Sequence, residues 1–193
     1  MLTLASSSAT RQMLLRNAAI PFEAMPARVD EPMVKDALLA EGHSPRNVAD
    51  ALAELKALRV QRPGLILGCD QVAALGAEVL GKPSDKDGAI AQLTKLSGTR
   101  HKLHSAAVLV EDGKPIWRHI GDVTLQMRAL SADYIADYVT RNWQEIRHSA
   151  GAYTIEGEGA RLFHRVDGDY FSVLGLPLLA LIDVLVTRGD LAI

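Results

Sequence analysis

Apolar positions change their spacing along this chain, and each change predicts a different element. Leu2 to Ala5 is a short apolar run that reads as a first strand. The polar Ser6-Ser7-Ser8 after it supplies a cap for a helix through Asn17 that turns Leu14, Leu15 and Ala18 inward. Pro21-Phe22 opens an extended segment to Val29, and Asp30-Glu31-Pro32 then starts a helix to about Ala40 with acidic residues in its first turn. Ser44-Pro45 starts a stronger helix, in which Val48, Ala51, Leu52, Leu55 and Leu58 repeat on one face. Lys56 flanks that stripe. A lysine there ordinarily runs its stem along apolar surface and keeps its head in water, although this one is also placed to lean over a cleft edge.

Leu65-Ile66-Leu67, bracketed by Gly64 and Gly68, reads as a buried strand that runs into the carboxylate of Asp70. Strand ends are where ligands meet the sheet in α/β proteins, which puts Asp70 at a cleft. If Glu78-Val79-Leu80 pairs with this strand as a hairpin, the turn Gly81-Lys82-Pro83 returns a cation to the same edge. Ser84 with Asp87 resembles a capping box for a helix that carries Ala89, Ile90, Leu93 and Leu96 inward and ends at Gly98. Leu103 to Val110 and Ile116 to Met127 then read as two long strands joined at Asp112-Gly113. Ser131 to about Trp143 returns to helical spacing, with Ile135, Tyr138 and Val139 facing in. The last third holds a glycine-rich stretch from Gly151 to Gly159, a strand around Leu162-Phe163, a turn at Asp167-Gly168-Asp169 and an apolar helix from Pro177 to Val186. Helices and strands alternate throughout, so the fold class is α/β.

Composition narrows the partners. A chain of 193 residues with 48% hydrophobic content is long enough for one domain with a real core. A net charge of −2 offers no general attraction to nucleic acid, so any polyanion must be met by a local cluster, which favours a small ligand. The single cysteine, Cys69, fits a reducing compartment, and no signal peptide or membrane-length apolar run is expected, which makes the cytoplasm the default.

The common nucleotide motifs are missing. No Gly-x-x-x-x-Gly-Lys-Ser/Thr occurs, and Gly157 to Leu162 lacks the third glycine of a dinucleotide fingerprint. The six histidines lack metal-ligand spacing and read as surface or structural, and Cys69 reads as a small packed thiol. What remains lies at the ends of predicted elements: Ser6, Ser8 and Arg11 at the first helix, Asp30-Glu31 at the second, then Lys56, Asp70, Lys82 and Glu156. Together they supply N–H groups and hydroxyls to seat a phosphate, cations to neutralise charge, and carboxylates to hold a divalent ion or orient water.

Motifs from one end of the chain to the other sharpen this. Leu4-Ala5-Ser6-Ser7-Ser8 with Arg11, Val29-Asp30-Glu31, Gly68-Cys69-Asp70-Gln71-Val72, Gly81-Lys82-Pro83, Leu96 to His101, Ala150 to Gly157 and Val173 to Pro177 occur in an order that resembles the Maf family of nucleoside triphosphate pyrophosphatases. The resemblance implies a single Maf-like domain over residues 1–193, with an elongated mixed-sheet fold similar to that of inosine triphosphatases, two lobes and a central cleft. It also implies hydrolysis of a nucleoside triphosphate to the monophosphate and pyrophosphate with a divalent metal, Mg or Mn, which keeps modified nucleotides from being incorporated.

By position, the family's catalytic aspartate falls on Asp70, its signature serines on Ser6 and Ser8, its arginine on Arg11, its acidic pair on Asp30-Glu31, and its lysines on Lys56 and Lys82. Asp70, Lys82 and Glu31 are the implied catalytic residues, with Asp70 and Glu31 as the metal ligands. Gln71 and Glu156 resemble the branch acting on 7-methylguanosine triphosphate. Thr10 stands where the pyrimidine-preferring branch has a second arginine and the other branch a bulky aromatic. The expected partners are the triphosphate substrate, neither nucleic acid nor a membrane, with a homodimer left open. A nucleotide-binding regulator of cell division or septum formation is the alternative reading. A nucleic-acid-binding module is disfavoured by the charge balance and by 5% aromatic content.

Overall fold

Among the described residues, each α-helix but the last starts where a side-chain oxygen is available to its free N–H groups; the last, which follows Pro177, has no side-chain cap. A computed structural model describes residues 1–192. It begins with β1 (Leu2–Leu4), α1 (Ala9–Asn17), β2 (Phe22–Ala24), α2 (Glu31–Ala40), α3 (Pro45–Arg59), β3 (Leu65–Leu75), β4 (Glu78–Leu80) and α4 (Lys86–Leu96). Then come β5 (Arg100–Glu111), β6 (Lys114–Met127), α5 (Ala132–Ile146), a 3-10 turn over Glu158–Leu162, β7 (Phe163–Asp167), α6 (Tyr170–Val173) and α7 (Leu178–Arg188). Ser8, Asp30, Ser44, Asp85, Ser131 and Asp169 each accept a hydrogen bond from the helix that follows them. The cap of α4 is thus Asp85, whose Oδ1 lies 2.7 Å from the Gly88 nitrogen, and not the expected Ser84. Ser84 instead donates its hydroxyl to Asp85. A carboxylate placed one residue closer to the first turn wins the cap.

The strands form one mixed sheet in the order β2-β1-β3-β5-β6-β7, with β4 beside β3. β1 runs parallel to β2 and β3, whereas β4 is antiparallel to β3 and β7 to β6. The expected hairpin of β3 and β4 forms, with Ala73 opposite Leu80 and Leu75 opposite Glu78. The hairpin of β5 and β6 turns at Asp112-Gly113, both at positive φ.

The residues fall into two compact units. One comprises Met1–Gln71, His104–Asp122 and the segment from Asp169 onward; the other comprises Val72–Leu103 and Val123–Gly168. The core of the first is built by Leu2, Leu4, Leu14, Leu15, Leu67, Leu109, Leu181 and Leu185, with Cys69 among them. In the second, α4 packs against α5, and Leu93, Leu96, Ile135, Tyr138, Val139 and Ile146 are fully or almost fully buried.

Three expectations need correction. Asp70 is not at a strand end: β3 continues through it to Leu75 because Ala73 to Leu75 find a partner in β4. The extended segment after Pro21 is regular only over Phe22–Ala24, where it pairs with β1. The buried face of α3 is Val48, Ala49, Leu52, Ala53, Lys56 and Ala57, rotated from the expected stripe, and Leu58 is exposed. Small residues set that face, and the lysine is inside it.

Candidate active site

Gly68 explains why Lys56 is buried. A Cβ at Gly68 would lie 2.0 Å from the Ala53 carbonyl oxygen and 2.9 Å from the Ala57 Cβ, so α3 rests directly on the β3 backbone. Side chains alternate along a strand, and Asp70, two residues on, faces the same helix. Lys56 is 7% exposed and Asp70 4%. The Lys56 Nζ lies 2.7 Å from Asp70 Oδ1 and 2.8 Å from Glu31 Oε1. A lysine at this depth does not reach water because two carboxylates meet its head, one from the strand and one from the first turn of α2. The other oxygen of Asp70, Oδ2, is buried and has no hydrogen-bond partner among the described residues. Asp30, expected beside Glu31, is instead spent on the helix, its Oδ1 accepting from the Met33 nitrogen at 3.1 Å.

Arg11 lies close to that group along the backbone. Its Nε donates to the Gly175 carbonyl at 2.8 Å, and its Nη1 donates to Ser6 Oγ and to the Cys69 carbonyl, each at 3.2 Å. Cys69 is the residue before Asp70. Gly175 adopts φ +93°, a conformation open to glycine, and even a Cβ there would press on the guanidinium at 3.4 Å. Arg11 is 9% exposed, yet no carboxylate forms an ion pair with it among the described residues. Ser8 Oγ caps α1 through the Arg11 nitrogen, and Ser6 Oγ also accepts from the Ser8 nitrogen. Thr10 sits half-buried in the first turn of α1.

The charges are therefore separated. Around Lys56 two carboxylates face one ammonium, a net of about −1, whereas Arg11 stands with neutral acceptors, a net of about +1. Such an arrangement can take a cation at one end and an anion at the other. Two carboxylates that meet on one ammonium also reach a common point, which fits a hard divalent ion. No group of three or more His, Cys, Asp or Glu side chains is placed to hold a metal among the described residues. Further ligands would come from phosphate oxygens and water, the usual arrangement for magnesium.

Gln71 faces the opposite side of β3. Its Nε2 donates to Ser105 Oγ at 2.9 Å, the Ser172 carbonyl at 3.0 Å and the Val173 carbonyl at 2.9 Å. Two carbonyls fix the amide orientation, so the group left for a ligand is the Oε1 acceptor. Lys82 and Glu156 belong to the second unit, are exposed and form no ion pair among the described residues. Burial pushes the Cys69 thiol up to about 11 despite Arg11 and Lys56 nearby, so it is not a nucleophile at neutral pH. His104, buried, holds Asp122 Oδ1 at 2.6 Å while Arg46 holds Oδ2 at 3.0 Å. Burial acts to raise the Asp122 carboxyl, but those two hydrogen bonds outweigh it and leave it lowered.

The motifs did not reveal the roles of Cys69, Gly175 and Ser172. Each acts through its main-chain carbonyl, which no side chain announces.

Comparison with known proteins places the chain. The profile of a family described as Maf-like protein matches residues 1–188. A protein of Roseobacter denitrificans named nucleoside triphosphate pyrophosphatase is 55% identical, over 98% of this chain and 97% of its own length. One of the same name from Ruegeria pomeroyi is 54% identical over 97% and 96%. A 7-methyl-GTP pyrophosphatase of Mesorhizobium japonicum is 49% identical over 96% and 95%. With a family profile matched over nearly its whole length, a mixed seven-stranded sheet and relatives aligned from end to end, the chain belongs to the Maf family.

Proposed function

We propose that this protein hydrolyses nucleoside triphosphates to the monophosphate and pyrophosphate, with the chemistry in the first unit. The observation that carries the reading is the separation of buried charge between Arg11 and the Lys56, Asp70 and Glu31 group. A buried guanidinium without an acid partner is costly unless a ligand supplies the anion. A metal-bound triphosphate supplies an anion and a cation together.

The residues then take definite roles. Arg11 and the N–H groups at the start of α1 seat phosphate oxygens, with Ser6 and Ser8 holding the turn. Lys82, in the Gly81-Lys82-Pro83 motif of the family, offers a further exposed cation. Asp70 Oδ2, buried and unpartnered, accepts a proton from water as the water oxygen bonds to the α-phosphorus and the bond from that phosphorus to the bridging oxygen breaks. Pyrophosphate departs with the bridging oxygen. Glu31 and Asp70 would hold a divalent cation, Mg or Mn, which when bound neutralises charge on the transferring phosphoryl group. Positioning and charge neutralisation dominate such reactions.

The base preference follows from Gln71 and Glu156. Gln71 offers an acceptor, suited to the amino and imino donors of guanine, and Glu156 offers negative charge to a ring made cationic by N7 methylation. A 7-methyl-GTP-type substrate is thus favoured over pyrimidine triphosphates. The name of the Mesorhizobium relative supports this reading. A panel of canonical and modified nucleoside triphosphates with magnesium or manganese, scored for pyrophosphate release, tests it. Release from 7-methyl-GTP above that from UTP and TTP is expected, and UTP or TTP as the best substrate would overturn the preference.

A further inference from the structure

Lys56 stands where a cation is needed. Its ammonium touches Asp70 Oδ1 at 2.7 Å and Glu31 Oε1 at 2.8 Å, so one positive charge already bridges an oxygen of each carboxylate of the site. The head is buried, and the face of α3 that carries it is pinned to β3 at Gly68. A divalent ion placed between the same two carboxylates would bring its charge within a few ångströms of that ammonium, and like charges at that distance repel strongly in a poorly hydrated site. Removal of the ammonium without a replacement leaves two buried or half-buried carboxylates facing each other.

We propose that Lys56 is an internal substitute for the metal, which keeps the ligand-free protein from holding a divalent cation on its own. The cation enters with the triphosphate, whose phosphate oxygens give the ammonium a new partner as it leaves the carboxylates. The metal–nucleotide complex is then the true substrate, and free metal does not accumulate at Asp70 and Glu31. This inference rests on the proposed hydrolysis, because the triphosphate is what draws Lys56 away.

Titration with Mn²⁺ alone, followed by electron paramagnetic resonance with no nucleotide present, tests it. Wild type binds weakly. Lys56→Met gains at least about tenfold in Mn²⁺ affinity, Lys56→Arg, which keeps the charge, does not, and adding Asp70→Asn to Lys56→Met removes the gain. If Lys56→Met unfolds in the absence of metal, Mn²⁺ restores its native far-ultraviolet spectrum. A folded Lys56→Met that binds Mn²⁺ no better than wild type contradicts the inference, as does an unfolded one that Mn²⁺ does not restore. Neither result depends on turnover. Loss of the Mn²⁺ gain while wild type still releases pyrophosphate defeats this inference alone, whereas the gain without pyrophosphate release defeats the hydrolytic reading alone.

Discussion

In the first compact unit the candidate site buries charged side chains, Arg11, Lys56 and Asp70; the second unit buries neutral rings, His101, Tyr138 and Tyr153. His101 Nε2 and the Tyr153 hydroxyl are 2.7 Å apart, with the Phe163 ring close to both. Burial pushes His101 down to about 4 and raises both tyrosines above their ordinary range, so the group is uncharged at neutral pH. Neutral groups of this kind fix a shape, here the turn at Gly151 and Ala152, where both residues adopt positive φ. Ions at similar depth are poised for a charged ligand. Burial alone does not mark a catalytic residue; burial of charge with incomplete internal pairing does.

The largest effect expected from breaking this contrast is at Asp70. Asp70→Asn keeps the volume and removes the proton acceptor, and kcat for pyrophosphate release should fall by about 10³-fold while the melting temperature changes little. Arg11→Ala comes next. Loss of a buried cation facing phosphate should lower kcat/KM by about 100-fold, equivalent to about 3 kcal/mol, in the range of charge-assisted hydrogen bonds. Lys82→Ala, at an exposed position, should cost about tenfold at most. Steady-state kinetics on the two variants decides this, and equal losses would remove burial from the account.

The neutral side of the comparison has a pH signature. A histidine near 4 in the folded chain and near 6.5 when unfolded leaves the unfolded state with more protons between those values. Its contribution is fully present above about pH 6.5 and is lost as pH falls toward 4, on the order of 3 kcal/mol in all. Urea unfolding of wild type and His101→Gln across that window should show a shallower slope for the variant. Identical slopes would mean that His101 is not held neutral. The smallest effect is at Glu156, an exposed charge worth about 1 kcal/mol, so Glu156→Gln should lower the ratio of 7-methyl-GTP to UTP turnover by about fivefold. The substrate panel repeated on this variant measures it.

Much of this was legible in the sequence, and the reasons for the rest are physical. Serine and acidic caps announced most helix starts, and Asp112-Gly113 announced the long hairpin, because these signals act within a few residues. The sequence leaves Lys56 between water and a cleft edge, because its burial depends on Gly68 lying under α3 and on Glu31 arriving from another helix. Asp70 was placed at a strand end because the partner that extends β3, β4, is itself only three residues long. The lack of an acid partner for Arg11 among the described residues is a property of the folded chain, and no local pattern carries it.

Hydrolysis in water enriched in ¹⁸O tests the central claim most directly. With wild-type protein, a divalent metal and a nucleoside triphosphate, attack at the α-phosphorus places one labelled oxygen in the nucleoside monophosphate and none in the pyrophosphate, as read by mass spectrometry of both products. Label in the pyrophosphate, or release of orthophosphate in its place, would contradict the account.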